Sequence, residues 1–283
     1  MTMTRRTFLA GSAVGLAGST WLQPLLMAAP DARIRISARH FSSDFEKAKR
    51  AGMDGVEVGC GKAEDRLSIA DPANRQKIKD QMKATGVVVS SLSMDLMNGH
   101  PVATEPRAKD WLLQCIEAAQ DLGAAGILVP FFGKANLLKD KQLDKEAVDA
   151  VVARLRQVAP RAKTAGVCLG LENTCSAAQN IEILDRIGSE AVACYYDIGN
   201  STHAGYDVPA EIRALKGRLC MIHFKDGKNY LGEGQVRMEP VAAALKAIDY
   251  RGWIVLETAC PSKDPVADCK RNGDFTRRLM GIL

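Results

Sequence analysis

The chain has 283 residues, 47% hydrophobic, 25% charged and 5% aromatic, with 24 glycines and 11 prolines. These proportions are those of an ordinary globular protein and exclude collagen-like, coiled-coil and disordered chains. A net charge of +5 is too small for the electrostatic footprint of a nucleic-acid binder.

Residues 1–29 carry no acidic side chain. Arg5 and Arg6 precede an apolar run from Phe8 to Leu16, and the stretch ends on Ala28 and Ala29, the layout of an export signal. Thr4-Arg5-Arg6-Thr7-Phe8-Leu9 resembles the twin-arginine signal that carries folded proteins across the bacterial inner membrane. Gly11, Gly15, Gly18, Gln23 and Pro24 make the segment a poor membrane span. The expectation is a periplasmic protein, free of the membrane after signal removal, whose mature chain begins near residue 30. Loss of Arg5 and Arg6 lowers the net charge from +5 to +3.

From residue 32 onward, short apolar runs alternate with helical patterns. The predicted strands cover 32–38, 55–59, 87–94, 126–132, 167–172, 192–198, 219–224 and 253–258. Each is mostly apolar rather than strictly alternating, as parallel strands covered on both faces require. Between them, Ser43 with Glu46 and Ser176 with Gln179 form capping-box patterns, Asp71-Pro72 reads as a cap followed by a first-turn proline, and Asp207 precedes Pro209. Val148, Val151, Val152, Leu155 and Val158 share one helical face, as do Val241, Ala244, Leu245 and Ile248. Gly52, Gly86, Gly166 and Gly252 mark the expected helix ends.

Eight such units over roughly 250 residues predict a single α/β domain, a (β/α)8 TIM barrel covering residues 30–283. No glycine-rich phosphate fingerprint follows the first strand, which disfavours a dinucleotide-binding sheet. The eight cysteines include no Cys-x-x-Cys pair, and folding in a reducing cytosol before export argues against a disulfide framework. Cys168, Cys194 and Cys220 fall inside apolar runs and read as small buried hydrophobes.

The C-terminal ends of all barrel strands open onto one mouth. The fifth strand ends in Gly170-Leu171-Glu172-Asn173, the sixth in Tyr195-Tyr196-Asp197, the seventh in Met221-Ile222-His223 and the eighth in Val255-Leu256-Glu257. Any one of these is as readily a solvated charge as a ligand. Together, three carboxylates and one imidazole without a thiolate suit one divalent ion, Mn²⁺ or Mg²⁺ before Co²⁺ or Zn²⁺. Four protein ligands leave coordination positions open, the mark of a catalytic metal.

Leu171-Glu172-Asn173, Tyr195-Tyr196-Asp197-Ile198-Gly199-Asn200-Ser201, Ile222-His223-Phe224-Lys225-Asp226, Leu231-Gly232-Glu233-Gly234 and Leu256-Glu257-Thr258 resemble the successive motifs of the xylose-isomerase-like barrels, the sugar phosphate isomerases and epimerases. The likeness covers the mature chain and is strongest in its second half. It implies that Glu172, Asp197, His223 and Glu257 bind the metal and that Glu172 and Glu257 are also the catalytic acid and base. They would move a proton next to a carbonyl through an enediolate, giving epimerisation or isomerisation; β-elimination from the same species would make the protein a lyase. Glu57, near the end of the second strand in Gly55-Val56-Glu57-Val58, resembles the family's glutamate there and is expected to bind sugar hydroxyls, the alternative being a buried glutamate paired within the barrel. Lys225, two residues past His223, is placed to steady an oxyanion.

Asn200 stands where the epimerase branch often carries a substrate-binding histidine, and His203 follows it; both are substrate-binding candidates. His40 and His100 read as loop histidines near the mouth, and Glu233 as shaping the loop after the seventh strand. The expected partner is a small-molecule sugar, free or oxidised, since an exported enzyme meets few phosphorylated metabolites. No nucleic-acid partner is expected, and association into homo-oligomers stays open. An apurinic endonuclease would need a histidine-rich three-metal site and a basic face, against four histidines here. A metal-free glycoside hydrolase and a non-catalytic sugar-binding barrel are the remaining alternatives.

Overall fold

A computed structural model describes residues 33–282; the export signal read over residues 1–29 lies outside them. Eight strands, β1 (Arg35–Ala38), β2 (Gly55–Gly59), β3 (Val88–Ser93), β4 (Gly126–Pro130), β7 (Cys168–Glu172), β8 (Val192–Asp197), β9 (Leu219–Phe224) and β10 (Trp253–Leu256), pair in parallel around a closed barrel. A two-stranded antiparallel hairpin, β5 (Leu138–Lys139) and β6 (Gln142–Leu143), sits outside it. The sequence predicts no strand there, because its turn residues Asp140 and Lys141 take positive φ without the glycine that usually marks such a turn.

The outer layer consists of α1 (Phe45–Arg50), α2 (Pro72–Thr85), α3 (Ala108–Leu122), α4 (Lys145–Ala165), α5 (Ala177–Ile187), α6 (Ile198–His203), α7 (Val208–Leu215), α8 (Met238–Ala247) and α9 (Pro265–Met280). Local chemistry explains their ends. Asp71 accepts the Ala73 N–H ahead of α2, Ser176 and Gln179 form the reciprocal box at α5, and Gly86 and Gly166 close α2 and α4 in the left-handed conformation.

Three expected signals resolve differently. Asp44, not Ser43, caps α1, accepting the Lys47 N–H at 3.1 Å, because the helix begins one residue later than the Ser43–Glu46 pattern implies. Asp207 occupies the position before α7 but its side chain makes no capping bond. Helix α8 stops at Ala247, ahead of Gly252, because the chain turns at Asp249 (φ +52°) and docks Tyr250 beneath β10, with its hydroxyl donating to the Trp253 carbonyl at 2.8 Å.

Two apolar layers result. The larger lies between strands and helices, where outward residues such as Ile36, Val56, Ile127, Leu169, Ile222 and Ile254 meet Trp111, Ile116, Val148, Val151, Leu155 and Leu245. Each such side chain contributes about 1.5–3 kcal/mol through burial. The smaller lies inside the barrel: Leu128, Cys168, Ala193, Tyr195, Cys220, Met221, Trp253 and Val255. Arg35 stacks its guanidinium 4.1 Å from the Trp253 ring centre at the same level. Glycine makes room for these bulky groups, since a Cβ on Gly55 would lie 2.8 Å from the Trp253 ring. All eight cysteines are free thiols, and all but Cys260 are buried, as the apolar context of Cys168, Cys194 and Cys220 implies. Among the described residues, no helix is long and apolar enough to cross a membrane.

Candidate metal centre at the barrel mouth

Side chains alternate along a strand, so the residues two positions beyond the inner apolar layer also point inward, nearer the mouth. On β7 the inward series runs Cys168, Gly170, Glu172; on β9 it runs Met221, His223, Lys225; on β10 it runs Trp253, Val255 and, one residue past the strand, Glu257. Strand β8 would fall out of step but for an irregularity between Cys194 and Tyr195, which skips one residue of β9 and sets Asp197 opposite His223.

Glu172, Asp197, His223 and Glu257 therefore converge, with one potential ligand atom from each lying within 4.8 Å of all the others. His223 Nδ1 lies 2.9 Å from Glu172 Oε1, 3.4 Å from Glu257 Oε2 and 4.0 Å from Asp197 Oδ2. These are the four residues that the strand-end reading singles out.

Burial and crowding set the charges. Burial, reinforced by Glu172, pushes the Asp197 carboxyl up to about 7. Burial raises Glu172 as well, against the pull of His223. Glu257 goes the other way: burial opposes its ionisation, but His223, Lys225 and Arg39 together hold it below the usual carboxylate value. Lys225 Nζ stands 3.2 Å from Glu257 Oε2, and Arg39 Nη1 stands 3.2 Å from Glu257 Oε1. His223 is raised well above an ordinary imidazole, because the charges of Glu172 and Glu57 overcome its desolvation.

The donor set fits a divalent ion. Asp197 Oδ2 is buried without a hydrogen-bond partner, an arrangement that costs free energy unless a cation completes it. Three carboxylates drawn together around one imidazole nitrogen supply the charge and the hard oxygen donors that such an ion prefers.

The remaining candidates divide. Lys225 belongs to the cluster through Glu257 and stands 3.6 Å from Asp197. Asn200 reaches it through its backbone, donating its N–H to Asp197 Oδ1 at 2.7 Å. His203, exposed at the end of α6, makes no hydrogen bond or ion pair to the four. Glu57 lies within β2, Gly55–Gly59, and is 1% exposed inside the barrel, the buried alternative. His40 bonds through Nε2 to the Thr258 carbonyl at 2.6 Å, and His100 pairs with Glu105 and meets the Trp111 ring edge-on. Glu233 is exposed and pairs with Arg271.

Four contributors escape a sequence reading. Arg39 follows β1 and bridges Glu257 to Asp95, which it meets at 2.6 Å. Tyr195 and Ser91, both inside the barrel, hold Glu57. Asp226, rather than Glu233, organises the loop after β9: it accepts the N–H groups of Gly232, Gly234 and Val236. Two glycines spaced by one residue shortly after a strand-end Asp were the available signal.

Comparison with known proteins bears on the chain as a whole. The family described as xylose isomerase-like TIM barrel matches residues 45–279. An L-ribulose-5-phosphate 3-epimerase of Escherichia coli is 26% identical over 257 residues, covering 83% of this chain and 88% of its own, and that of Escherichia fergusonii matches to the same degree. Among solved structures, an L-ribulose 3-epimerase superposes with a TM-score of 0.73 at 21% identity, over 88% of this chain and 95% of that one. The 3-keto-D-glucoside 4-epimerase of E. coli reaches 0.70 at 17% identity, over 88% of this chain and 100% of that one. The structural likenesses establish the barrel, and the relatives similar in sequence are sugar epimerases.

Proposed function

The chain belongs to the xylose isomerase-like TIM-barrel family, and from that membership we propose that it is a divalent-metal-dependent sugar epimerase or isomerase acting on a free or oxidised sugar in the periplasm. The observation that carries this reading is the pair Glu172 and Glu257, brought from strands on either side of His223 to within 2.9 and 3.4 Å of its Nδ1. Glu172, Asp197, His223 and Glu257 would hold the ion, which when bound stabilises the negative charge that develops as a proton next to a sugar carbonyl is removed.

The chain's own residues do the rest. One glutamate takes the proton from the carbon and the other returns it, to the same carbon for epimerisation or to its neighbour for isomerisation. Lys225 and Arg39, which flank Glu257, are placed to steady substrate oxygens at the mouth. Asn200 and His203 on α6 follow Asp197, which caps that helix, and are the substrate-binding candidates there. The run Thr4–Leu9 supports the periplasmic assignment, and an exported enzyme meets few phosphorylated metabolites, which supports a non-phosphorylated substrate.

The test is exchange in deuterium oxide with Mn²⁺ and a panel of ketoses and 3-keto sugars. The expected result is chelator-sensitive deuterium incorporation at the carbon beside the carbonyl. Glu172→Gln and Glu257→Gln should each slow it by about 10²–10⁴-fold, the usual contribution of a positioned acid or base. Full turnover and unchanged metal content in both variants would overturn the proposal.

A further inference from the structure

Two of the buried polar atoms that lack a hydrogen bond, Glu57 Oε1 and His223 Nε2, face one another across 3.5 Å. They belong to side chains that are 1% and 0% exposed, so no bulk water satisfies either. The other ring nitrogen, Nδ1, is the one turned toward Glu172, Glu257 and Asp197. An imidazole that ligates a metal must be neutral, with a lone pair on one nitrogen and a proton on the other. Here the geometry leaves one arrangement: lone pair on Nδ1, facing the carboxylates, and proton on Nε2, facing Glu57.

Glu57 is held for that task. Ser91 Oγ donates to its Oε2 at 2.8 Å and Tyr195 OH donates to the same oxygen at 2.7 Å. Arg39 Nε lies 3.6 Å from Oε1. An irregularity between Val56 and Glu57 brings Ser91 opposite Glu57, whereas unbroken pairing from Val56–Val89 would have met Ser90. The Tyr195 ring packs 4.5 Å, centre to centre, from the His223 ring and limits its rotation.

We propose that Glu57 is a positioning residue: by accepting the Nε2–H of His223 it fixes the tautomer and ring orientation that turn Nδ1 toward the metal, and it does not bind sugar hydroxyls. This rests on the reading that Glu172, Asp197, His223 and Glu257 hold a divalent ion. Carboxylate partners of metal-bound histidines typically change metal affinity by 10–100-fold when altered. Held by Tyr195 and Ser91, Glu57 acts on the site through His223, without touching substrate.

The experiment is calorimetric titration of Mn²⁺ into the metal-free full chain, wild type beside Glu57→Gln and Tyr195→Phe, with a thermal melt of each. Glu57→Gln should weaken Mn²⁺ binding by about 10–100-fold. Tyr195→Phe, which removes one anchor only, should weaken it less and in the same direction. At saturating Mn²⁺ the KM for sugar should change less than threefold in either variant. An Mn²⁺ affinity within twofold of wild type in Glu57→Gln, with a raised KM, overturns the proposal in favour of sugar binding.

Should Glu57→Gln fail to fold, ¹⁵N-histidine-labelled wild type loaded with diamagnetic Zn²⁺ decides the matter. A protonated Nε2 and a metal-bound Nδ1 on His223 support the proposal, and the reverse assignment overturns it. A wild type that binds neither ion overturns the metal reading and this inference together, while a wild type that binds with Glu57→Gln unaffected overturns this inference alone.

Discussion

Two levels of the barrel interior, two residues apart along the same strands, have opposite chemistry. The lower holds Leu128, Cys168, Met221, Trp253 and Val255, an apolar plug with Arg35 stacked on Trp253. The upper holds Glu57, Glu172, Asp197 and His223, all buried, with Glu257 half-buried beside them. The lower level gains free energy by excluding water. The upper level gathers like charges that burial penalises, and it still carries orphaned atoms on Glu57, Asp197 and His223. A barrel can bear such a cost in its mouth because the outer apolar layer and the plug beneath stabilise the fold independently of it.

That contrast can be broken from below. Trp253→Ala removes the largest side chain of the plug and should cost about 3–5 kcal/mol in denaturant melts, the range for burying a cavity of that size. Because Trp253 precedes Glu257 by four residues and belongs to the lower level, the variant that remains folded should keep its Mn²⁺ affinity. A loss of metal binding at unchanged stability would show that the two levels are not separate.

Loading the upper level should work in the opposite sense. Mn²⁺ at a hundredfold excess over its Kd should stabilise the protein by about 2.7 kcal/mol, a rise in Tm of roughly 5–10 °C. A chelator should reverse that rise. An unchanged Tm across the titration would remove the cation from the account of the four ligands.

The smallest effect sharpens the boundary between the levels. Gly170 lies between Cys168 and Glu172 on β7, and a Cβ there would meet Cys220 Sγ at 2.9 Å and Tyr195 Cβ at 3.0 Å. Gly170→Ala should cost about 1–3 kcal/mol by overpacking. Displacement of Tyr195 should also loosen its bond to Glu57, so this substitution, unlike Trp253→Ala, should weaken Mn²⁺ binding several-fold in the same titration. Equal effects of both substitutions on metal affinity would argue for a global rather than a local route.

Much of this layout was legible beforehand for physical reasons. Parallel strands sheathed by helices are apolar throughout, so the runs at 219–224 and 192–198 stand out, and a charged residue closing such a run is conspicuous, as Glu172, Asp197, His223 and Glu257 are. Helix signals made of adjacent residues, such as Ser176 with Gln179, were equally readable. Glu57 stands out in the same way inside the predicted run 55–59, but its burial and its partners come from other strands. Arg39, Ser91 and Tyr195 carried no local signal, since each acquires its role from a partner 34 or more positions away, with Tyr195 and Glu57 separated by 138.

By itself, then, the sequence determined the alternation of strand and helix, the count of barrel strands and the four ionisable residues at their ends, because those depend on composition and spacing within a few residues. Only the tertiary structure decided which atoms of those residues meet. The register irregularities at Val56–Glu57 and Cys194–Tyr195 set Glu57 against Ser91 and Asp197 against His223. Strand register is a property of pairs, settled by packing across the closed barrel, and no single strand contains it.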